Sequence, residues 1–262
     1  MKTIYFVVPC YNEQEVLPET SKRLLEKLEF LIENKKISKQ SKIVFIDDGS
    51  RDETYSIIAD LHKQNDKFCG IKLSRNHGHQ NALLAGLMTV KDKCDAAISL
   101  DADLQDDIDV LDSFVDRFNE GYDIVYGTRS SRKKDTAFKR ITAQGFYKLM
   151  LFFGVEVVYN HADYRLMSSR ALEVLADFKE VNLFLRGIVP LIGFKSTTVS
   201  YERHERFAGE SKYPLKKMLA FAFDGITSFS VKPIKMIWSI GVLIAVISAL
   251  CAIYDVCENI CV

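Results

Sequence analysis

The chain has no excess of charge, no paired cysteine motif and no signal-peptide cleavage site. Its 35 basic residues balance 35 acidic ones, which argues against nucleic acid as a partner. The six cysteines form no Cys-x-x-Cys pair, and Cys257 and Cys261 have no nearby histidine to complete a zinc site. We therefore expect free thiols in a reducing compartment. The first apolar run, 3–8, lacks the small residues at which a signal peptide is cleaved.

Strand and helix patterns alternate through the first half of the 262 residues, a length that allows one large α/β domain and an appendage. Short apolar runs predict buried strands at 4–8, 42–46, 70–73, 96–100 and 123–126. Segments with helical periodicity lie between them, at 13–33, 52–64, 79–90 and 107–120. This alternation predicts a mostly parallel sheet flanked by helices on both faces.

Two carboxylates, Asp101 and Asp103, stand one residue apart at the end of the predicted strand 96–100. Alternation along a strand would point both side chains the same way. Two buried like charges repel each other and lose solvation unless a cation lies between them. Mg²⁺ takes one or two carboxylates and leaves its other positions to water and substrate phosphates. The pair therefore predicts a nucleotide-diphosphate site, although a solvated turn explains the same pattern equally well.

Polar segments also follow three other predicted strands. They are 9–13 after the first strand, 47–50 after the second and 127–129 after the fifth. Ligands of open α/β sheets bind at the carboxyl ends of the strands. Together with the two carboxylates, these segments predict one site along that edge of the sheet.

Two segments indicate a membrane. The stretch Met236–Tyr254 carries no charged residue, and as a helix it reaches roughly 28 Å, about the hydrocarbon thickness. A buried core helix is the alternative. Lysines precede the stretch and the acidic Asp255 and Glu258 follow it, and because the lysines mark the cytoplasmic side, the positive-inside rule places the preceding domain in the cytoplasm. The lysines are Lys212, Lys216, Lys217, Lys232 and Lys235.

The second segment is a basic run from Arg129 to Arg140 that leads into a predicted amphipathic helix, Ala137–Phe153. Basic runs are most often solvated faces. Because this one follows the predicted site edge and precedes an aromatic, leucine-containing helix, it favours contact with an anionic membrane surface.

Several motifs stand in order between residues 3 and 230: 8–13, 46–50, 73–78, 101–105, 126–129, 162–166 and 209–213. Together they resemble family 2 glycosyltransferases with the GT-A (Rossmann-like) fold. The resemblance is greatest to the polyprenyl-phosphate group, which includes dolichol-phosphate mannose synthase and bactoprenol glucosyltransferases. Ala162 and Tyr164 replace the family's usual glycine and phenylalanine, and Asp163 between them is kept.

The resemblance implies inverting transfer of a hexose from a nucleotide-diphosphate sugar to a polyprenyl phosphate at the cytoplasmic face of the cell membrane. UDP-glucose is the first expectation for the donor and GDP-mannose the second. The implied nucleotide-sugar ligands are Pro9, Tyr11, Glu13, Ile46, Asp48, Asp101, Ala102, Arg206 and Lys212. The implied ligands of Mg²⁺ or Mn²⁺ are Asp101, Asp103 and Gln105. The implied ligands of the acceptor phosphate are Arg129 and Arg140. The implied catalytic residues are Asp103, Asp163 and Arg129.

Some roles stay open at this stage. Asp163 either orients a substrate or removes a proton, and Glu210 either supports the Lys212 loop or contacts substrate. A metal role for His77 or His79 would need a third ligand, so a loop packed on the sheet at a helix start is preferred for them.

The resemblance divides the chain into a GT-A catalytic domain (1–205), a membrane-interface segment with a substrate-binding loop (206–232), a C-terminal transmembrane helix (233–255) and a short tail (256–262). The polyprenyl-phosphate group usually carries at least two hydrophobic spans, and this sequence shows one. Two alternatives remain: a family 2 transferase that extends a polysaccharide with Asp163 as base, and an inactive membrane-tethered binding protein, which the single span keeps open. A homo-oligomer is left open.

Overall fold

The computed structural model describes residues 1–130, 145, 161–179, 184–203 and 230–260 of the chain. The strands are β1 (Ile4–Cys10), β2 (Lys42–Asp47), β3 (Phe68–Lys72), β4 (Ala96–Ser99), β5 (Ile124–Arg129), β6 (His161–Ser168) and β7 (Ser196–Tyr201). The helices are α1 (Leu17–Glu33), α2 (Thr54–Gln64), α3 (His79–Val90), α4 (Leu111–Asn119), α5 (Ser169–Asp177), α6 (Leu185–Leu191) and α7 (Lys232–Ile260).

The described strands form one sheet in the order β3-β2-β1-β4-β6-β5-β7. Neighbouring strands are parallel except where β6 pairs antiparallel with β4 and β5. Ser99 at the end of β4 pairs with Arg165 of β6. Because β6 runs in the opposite direction, its first residues lie at the edge where the parallel strands end. That reversal brings Asp163 to the predicted site edge.

Apolar side chains cover both faces of the sheet. Along β1, Ile4, Phe6 and Val8 pack with α1, α2 and α4, whereas Val7 packs on the opposite face with α3, α5 and α6. A strand with both faces buried needs an unbroken apolar run, which is why β1 shows no polar alternation. At Gly86 of α3 an added Cβ would lie 2.6 Å from Ile46 Cδ1, so this glycine lets the helix approach the sheet.

The predicted fold, a mostly parallel sheet flanked by helices, is confirmed, with shifted element bounds and two strands that were not predicted. Helix α1 begins at Leu17 rather than at residue 13, with Pro18 in its first turn, where proline is favoured. A 3₁₀ turn, Ile108–Val110, precedes α4 inside the predicted helix 107–120. Strands β6 and β7 were not predicted because their sequences are largely polar.

Helix α7 is the one helix within the described ranges that is long and apolar enough to cross a membrane, over Lys232–Tyr254. None of the most apolar part of that stretch is buried against the rest of the chain. The exposure contradicts the alternative of a buried core helix. The predicted helix 137–153 and the predicted site residues Arg140, Arg206 and Lys212 lie outside the described residues, as does Glu210.

Candidate active site

A tight turn after β4 carries the paired carboxylates. Because β4 ends at Ser99, strand alternation does not orient Asp101 and Asp103, contrary to the sequence-based expectation. The backbone NH of Gln105 donates to Oδ1 of Asp103 at 3.1 Å. Leu104 is buried with φ at 57°, a left-handed conformation that leucine rarely adopts. The turn therefore holds the two carboxylates with a strained backbone, a feature that clusters at functional sites.

The electrostatics of this turn fit a cation. Burial raises the pKa of Asp101, and the negative charges of Asp103 and Asp163 raise it further against the opposing effect of His79. Within the described residues, no three histidine, cysteine or acidic side chains are grouped to hold a metal. Two carboxylates suffice for Mg²⁺ or Mn²⁺ where water and substrate phosphates fill the other positions. Oε1 of Gln105, the third predicted ligand, accepts a hydrogen bond from Arg203 Nη2.

Asp163 is the centre of a buried polar cluster. Its Oδ1 accepts from Arg165 Nη2 at 2.6 Å, and its Oδ2 accepts from Arg186 Nη2 at 3.2 Å and from Gln80 Nε2 at 3.1 Å. Burial alone would raise the pKa of Asp163, but Arg186, His79 and Arg165 outweigh it and hold that pKa well below its usual range. A carboxylate so strongly stabilised in its ionised form is a poor proton acceptor.

His79 lies in the site rather than only in a loop packed on the sheet. It begins α3, and its Nε2 is 3.6 Å from Oδ1 of Asp101 and 3.5 Å from Oδ2 of Asp163. Burial lowers the pKa of His79, but the two carboxylates outweigh it and raise that pKa to about 9. The histidine therefore supplies positive charge between two acidic residues, which the sequence could not show because they come from distant segments.

Replacing Asp163 with alanine is expected to destabilise the protein. The change leaves the guanidinium of Arg165, whose side chain is only 1% exposed, without its carboxylate. Breaking a buried ion pair from one side costs about 3–5 kcal/mol of unfolding free energy. The measurement is chemical or thermal unfolding in detergent. Asp60→Ala is the control, because the Asp60–Lys63 pair is exposed and worth at most about 1 kcal/mol. Equal stability of the two variants would contradict a structural role for Asp163.

Hydrogen bonds join the predicted nucleotide-binding loop after β1 to the loop after β2. The backbone NH of Asn12 donates to Ser50 Oγ at 2.9 Å, and the NH of Arg51 donates back to Asn12 Oδ1 at 2.9 Å. The NH of Glu13 donates to Thr54 Oγ1 at 2.9 Å. These reciprocal bonds make the two loops one unit. Of the other predicted ligands at this edge, Pro9, Ile46 and Ala102 are buried and Tyr11 is half-buried.

Asp48 fixes the loop between β3 and α3. Its Oδ1 accepts from the backbone NH of His77 at 2.7 Å, and its Oδ2 accepts from the NH of Gly78 at 2.9 Å. Gly49 follows with φ at 65°, and a Cβ there would lie 2.4 Å from the carbonyl carbon of Arg75. The β3–α3 loop thus crosses directly over the end of β2. The predicted contact between Asp48 and the base stays a prediction.

A second buried cluster surrounds Arg129, the last residue of β5. The hydroxyl of Tyr201 donates to Oδ1 of Asp106 at 2.5 Å and lies within hydrogen-bonding reach of the Arg129 guanidinium. Burial and the charge of Asp101 raise the pKa of Asp106 to about 7. Sequence reasoning missed Asp106 and Tyr201, together with Gln80, Arg165, Arg186 and Arg203. Two local signals existed: the acidic run 101–107 contains Asp106, and the motif 162–166 contains Arg165.

The sheet order and its flanking helices define a glycosyltransferase fold of the GT-A type, and comparison with known proteins agrees. The chain belongs to glycosyl transferase family 2, whose family model matches residues 5–175. The protein is a glycosyltransferase, which sets aside the alternative of an inactive binding protein.

Two relatives and one solved structure illustrate the likeness. An uncharacterized glycosyltransferase, YkoT, from Bacillus subtilis (strain 168) is 57% identical over 247 residues, which cover 94% of this chain and 73% of that protein. A prophage bactoprenol glucosyl transferase homolog from Escherichia coli (strain K12) is 37% identical over 258 residues, covering 98% and 82%. Glucosyl-3-phosphoglycerate synthase from Mycobacterium tuberculosis, solved with Mn²⁺, UDP and phosphoglyceric acid, has a TM-score of 0.54 at 14% identity, covering 87% and 77%. At 14% identity, the similarity to this synthase shows a shared fold and nothing further.

Proposed function

We propose that the protein transfers a hexose, with inversion, from a nucleotide-diphosphate sugar to a polyprenyl phosphate at the cytoplasmic face of the cell membrane. UDP-glucose is the favoured donor and GDP-mannose the second. The relative from Escherichia coli is named for glucosyl transfer to bactoprenol, which supports both the sugar and the lipid acceptor. The chain would comprise a catalytic domain, an interface segment, a transmembrane helix and a short tail.

The observation that carries this proposal is the state of Asp163. Transfer to a sugar hydroxyl requires a base that removes the proton of the attacking group. Asp163 is bound by Arg165, Arg186 and Gln80, and its lowered pKa makes it a weak base. A phosphate acceptor is already ionised near neutral pH and needs little base catalysis. The site thus favours a phosphate acceptor over the hydroxyl of a growing polysaccharide.

The chain's own residues account for substrate placement. The hydrogen-bonded loops after β1 and β2 would hold the nucleotide. Arg129 would bind the acceptor phosphate, because the planar guanidinium matches the geometry of a phosphate group. Asp101, Asp103 and Gln105 would hold Mg²⁺ or Mn²⁺. Such an ion, when bound, supplies positive charge to the diphosphate leaving group. The acceptor phosphate would then attack the anomeric carbon from the side opposite the departing diphosphate.

The direct test is product analysis. The full chain in detergent is incubated with a polyprenyl phosphate, Mg²⁺ or Mn²⁺ and a panel of nucleotide sugars, and the lipid fraction is examined by mass spectrometry. We expect an acid-labile hexose on a polyprenyl monophosphate, made best from UDP-glucose. A sugar–sugar linkage as the only product, with polyprenyl phosphate inert across the panel, would replace this proposal with polysaccharide extension.

Deleting residues 231–262 is expected to move most of the protein from the membrane fraction to the soluble fraction. This deletion removes α7, whose large apolar side chains between Ile234 and Tyr254 are exposed. Any binding that remains should weaken with added salt, because screening reduces the attraction of basic segments to anionic lipids. The measurement is sedimentation with vesicles at low and high salt. Full-length protein that stays soluble without detergent would contradict the prediction.

A further inference from the structure

Tyr201 joins two parts of the site that are far apart in sequence. It ends β7, where its backbone pairs with Arg129 of β5, and its side chain is buried. Its hydroxyl donates to Oδ1 of Asp106 at 2.5 Å. The guanidinium of Arg129 is near enough to interact with the same hydroxyl, and this interaction contributes to the raised pKa of Arg129. A phenolic oxygen can donate one hydrogen bond and accept another, so a single group serves both neighbours.

Packing fixes the direction of this hydroxyl. The ring of Tyr201 meets the ring of Tyr164 edge to face, with centroids 5.3 Å apart. The hydroxyl of Tyr164 in turn donates to the carbonyl oxygen of Asp107 at 2.9 Å. Gly127 leaves room for both rings, since a Cβ there would lie 3.0 Å from Cδ1 of Tyr164 and 3.1 Å from Cε1 of Tyr201. The two tyrosines therefore connect the segment that follows Asp101 and Asp103, in the turn after β4, to strands β5, β6 and β7.

Two buried atoms of this cluster have no hydrogen-bond partner among the described residues: Oδ2 of Asp106 and Nε of Arg129. Buried polar atoms are almost always paired, so each of these two atoms retains the capacity to bond a ligand or a water molecule. Asp106 comes one residue after Gln105 and Arg129 is the proposed phosphate ligand. The cluster therefore stands between the two proposed binding positions.

We propose that Tyr201 is a positioning residue that couples the metal-binding turn to Arg129, so that metal binding and acceptor-phosphate binding strengthen each other. This inference rests on the proposed function. Through Asp106 the hydroxyl holds the turn that carries Asp101 and Asp103, and through Arg129 it holds the acceptor cation. Coupling of this kind is reciprocal: each ligand must change the affinity for the other by the same factor.

The test is the Tyr201→Phe variant of the full chain in detergent. The change removes the hydroxyl and keeps the ring that packs on Tyr164. Mn²⁺ affinity is measured with and without a short-chain polyprenyl phosphate, and the affinity for that phosphate with and without Mn²⁺. In the wild type we expect each ligand to tighten the other by about fivefold or more, within the usual range of coupling. In Tyr201→Phe the factor should fall towards one, and kcat/KM should drop about tenfold to a hundredfold, the cost of a lost hydrogen bond to a charged group.

Tyr122→Phe is the matched control. This tyrosine precedes β5 at the opposite edge of the sheet, with its ring 4.3 Å from Lys195 Nζ, and its variant should keep the wild-type coupling factor. Asp106→Asn keeps an acceptor oxygen for the Tyr201 hydroxyl and should retain more coupling than Asp106→Leu. The double variant Y201F/D106L should lose no more coupling than D106L alone, because each change already breaks the Asp106–Tyr201 bond through which the coupling passes.

The outcomes separate this inference from the function on which it rests. Wild-type coupling that survives in Tyr201→Phe, or additive losses in the double variant, would overturn the inference and leave the proposed function standing. Wild-type protein that binds Mn²⁺ and UDP-glucose but no polyprenyl phosphate would overturn the proposed function and the inference with it. A loss of coupling in Tyr122→Phe equal to that in Tyr201→Phe would also overturn the inference, because the effect would then not belong to the Asp106–Tyr201 bond.

Discussion

Asp103→Asn is expected to reduce turnover on the order of a thousandfold or more while the protein stays folded. Stabilisation of a leaving group by a bound metal is worth several kcal/mol, and each 1.36 kcal/mol is a tenfold change in rate. Asparagine has nearly the same shape as aspartate, so the turn after β4 should keep its backbone, with the side-chain oxygen still able to accept from the Gln105 NH. The measurement is kcat over a titration of Mg²⁺ and Mn²⁺, with thermal unfolding as the check on folding.

Asp60→Asn serves as the control for this prediction. Asp60 lies on α2 and pairs with Lys63 on the exposed surface, so the same chemical change there should leave turnover unaltered. Wild-type turnover that persists in excess chelator, or an Asp103→Asn variant as active as Asp60→Asn, would contradict the proposed metal site.

Arg129→Ala is expected to lower kcat/KM for the polyprenyl phosphate by roughly a hundredfold or more. A charge-assisted hydrogen bond to phosphate is worth about 1.5–3 kcal/mol, and a guanidinium can make two of them. The loss should fall on the acceptor, with little change in the KM of the nucleotide sugar. Steady-state kinetics with each substrate varied in turn separates the two effects. Lys212→Ala, although in a segment outside the described residues, should also reduce transfer.

Arg170→Ala is the matched control, because this arginine pairs with Asp123 and lies over the ring of Phe194 at the other edge of the sheet. Arg129→Lys should recover only part of the lost activity, since an ammonium group cannot form the paired bonds of a guanidinium. An equal rise in the KM of donor and acceptor in Arg129→Ala would count against its assignment to the acceptor phosphate.

Several parts of the fold follow from local pattern. Buried strands such as β1 show unbroken apolar runs, and the helices between them show helical periodicity, so the parallel core could be read before any contact was known. Element bounds were less predictable, as at α1, because capping and proline placement decide them. Strands β6 and β7 were not predicted because both contain several polar residues and neither shows an unbroken apolar run.

The sites divide in the same way. The paired acids and the residues of the loops after β1 and β2 could be placed at one edge of the sheet from sequence, because the strand ends that carry them follow from pattern. His79 could be placed at a helix start but not between two carboxylates, because Asp101 and Asp163 belong to other segments. Arg165 stands two residues from Asp163 in the motif 162–166, but nothing in the sequence indicated that the two side chains pair, and Arg186 had no local signal at all.

The sequence by itself determined the class of fold, the edge at which polar residues gather and the membership of the glycosyltransferase family. It could do so because periodicity and motif order are local properties of the chain. Only the tertiary structure decided the chemical state of the site: the antiparallel direction of β6 carries Asp163 to the carboxyl ends of the parallel strands, where Arg186 from α6 and His79 from α3 meet it. The charge of a buried group depends on which neighbours the fold brings within a few ångströms, and those neighbours are separated along the chain.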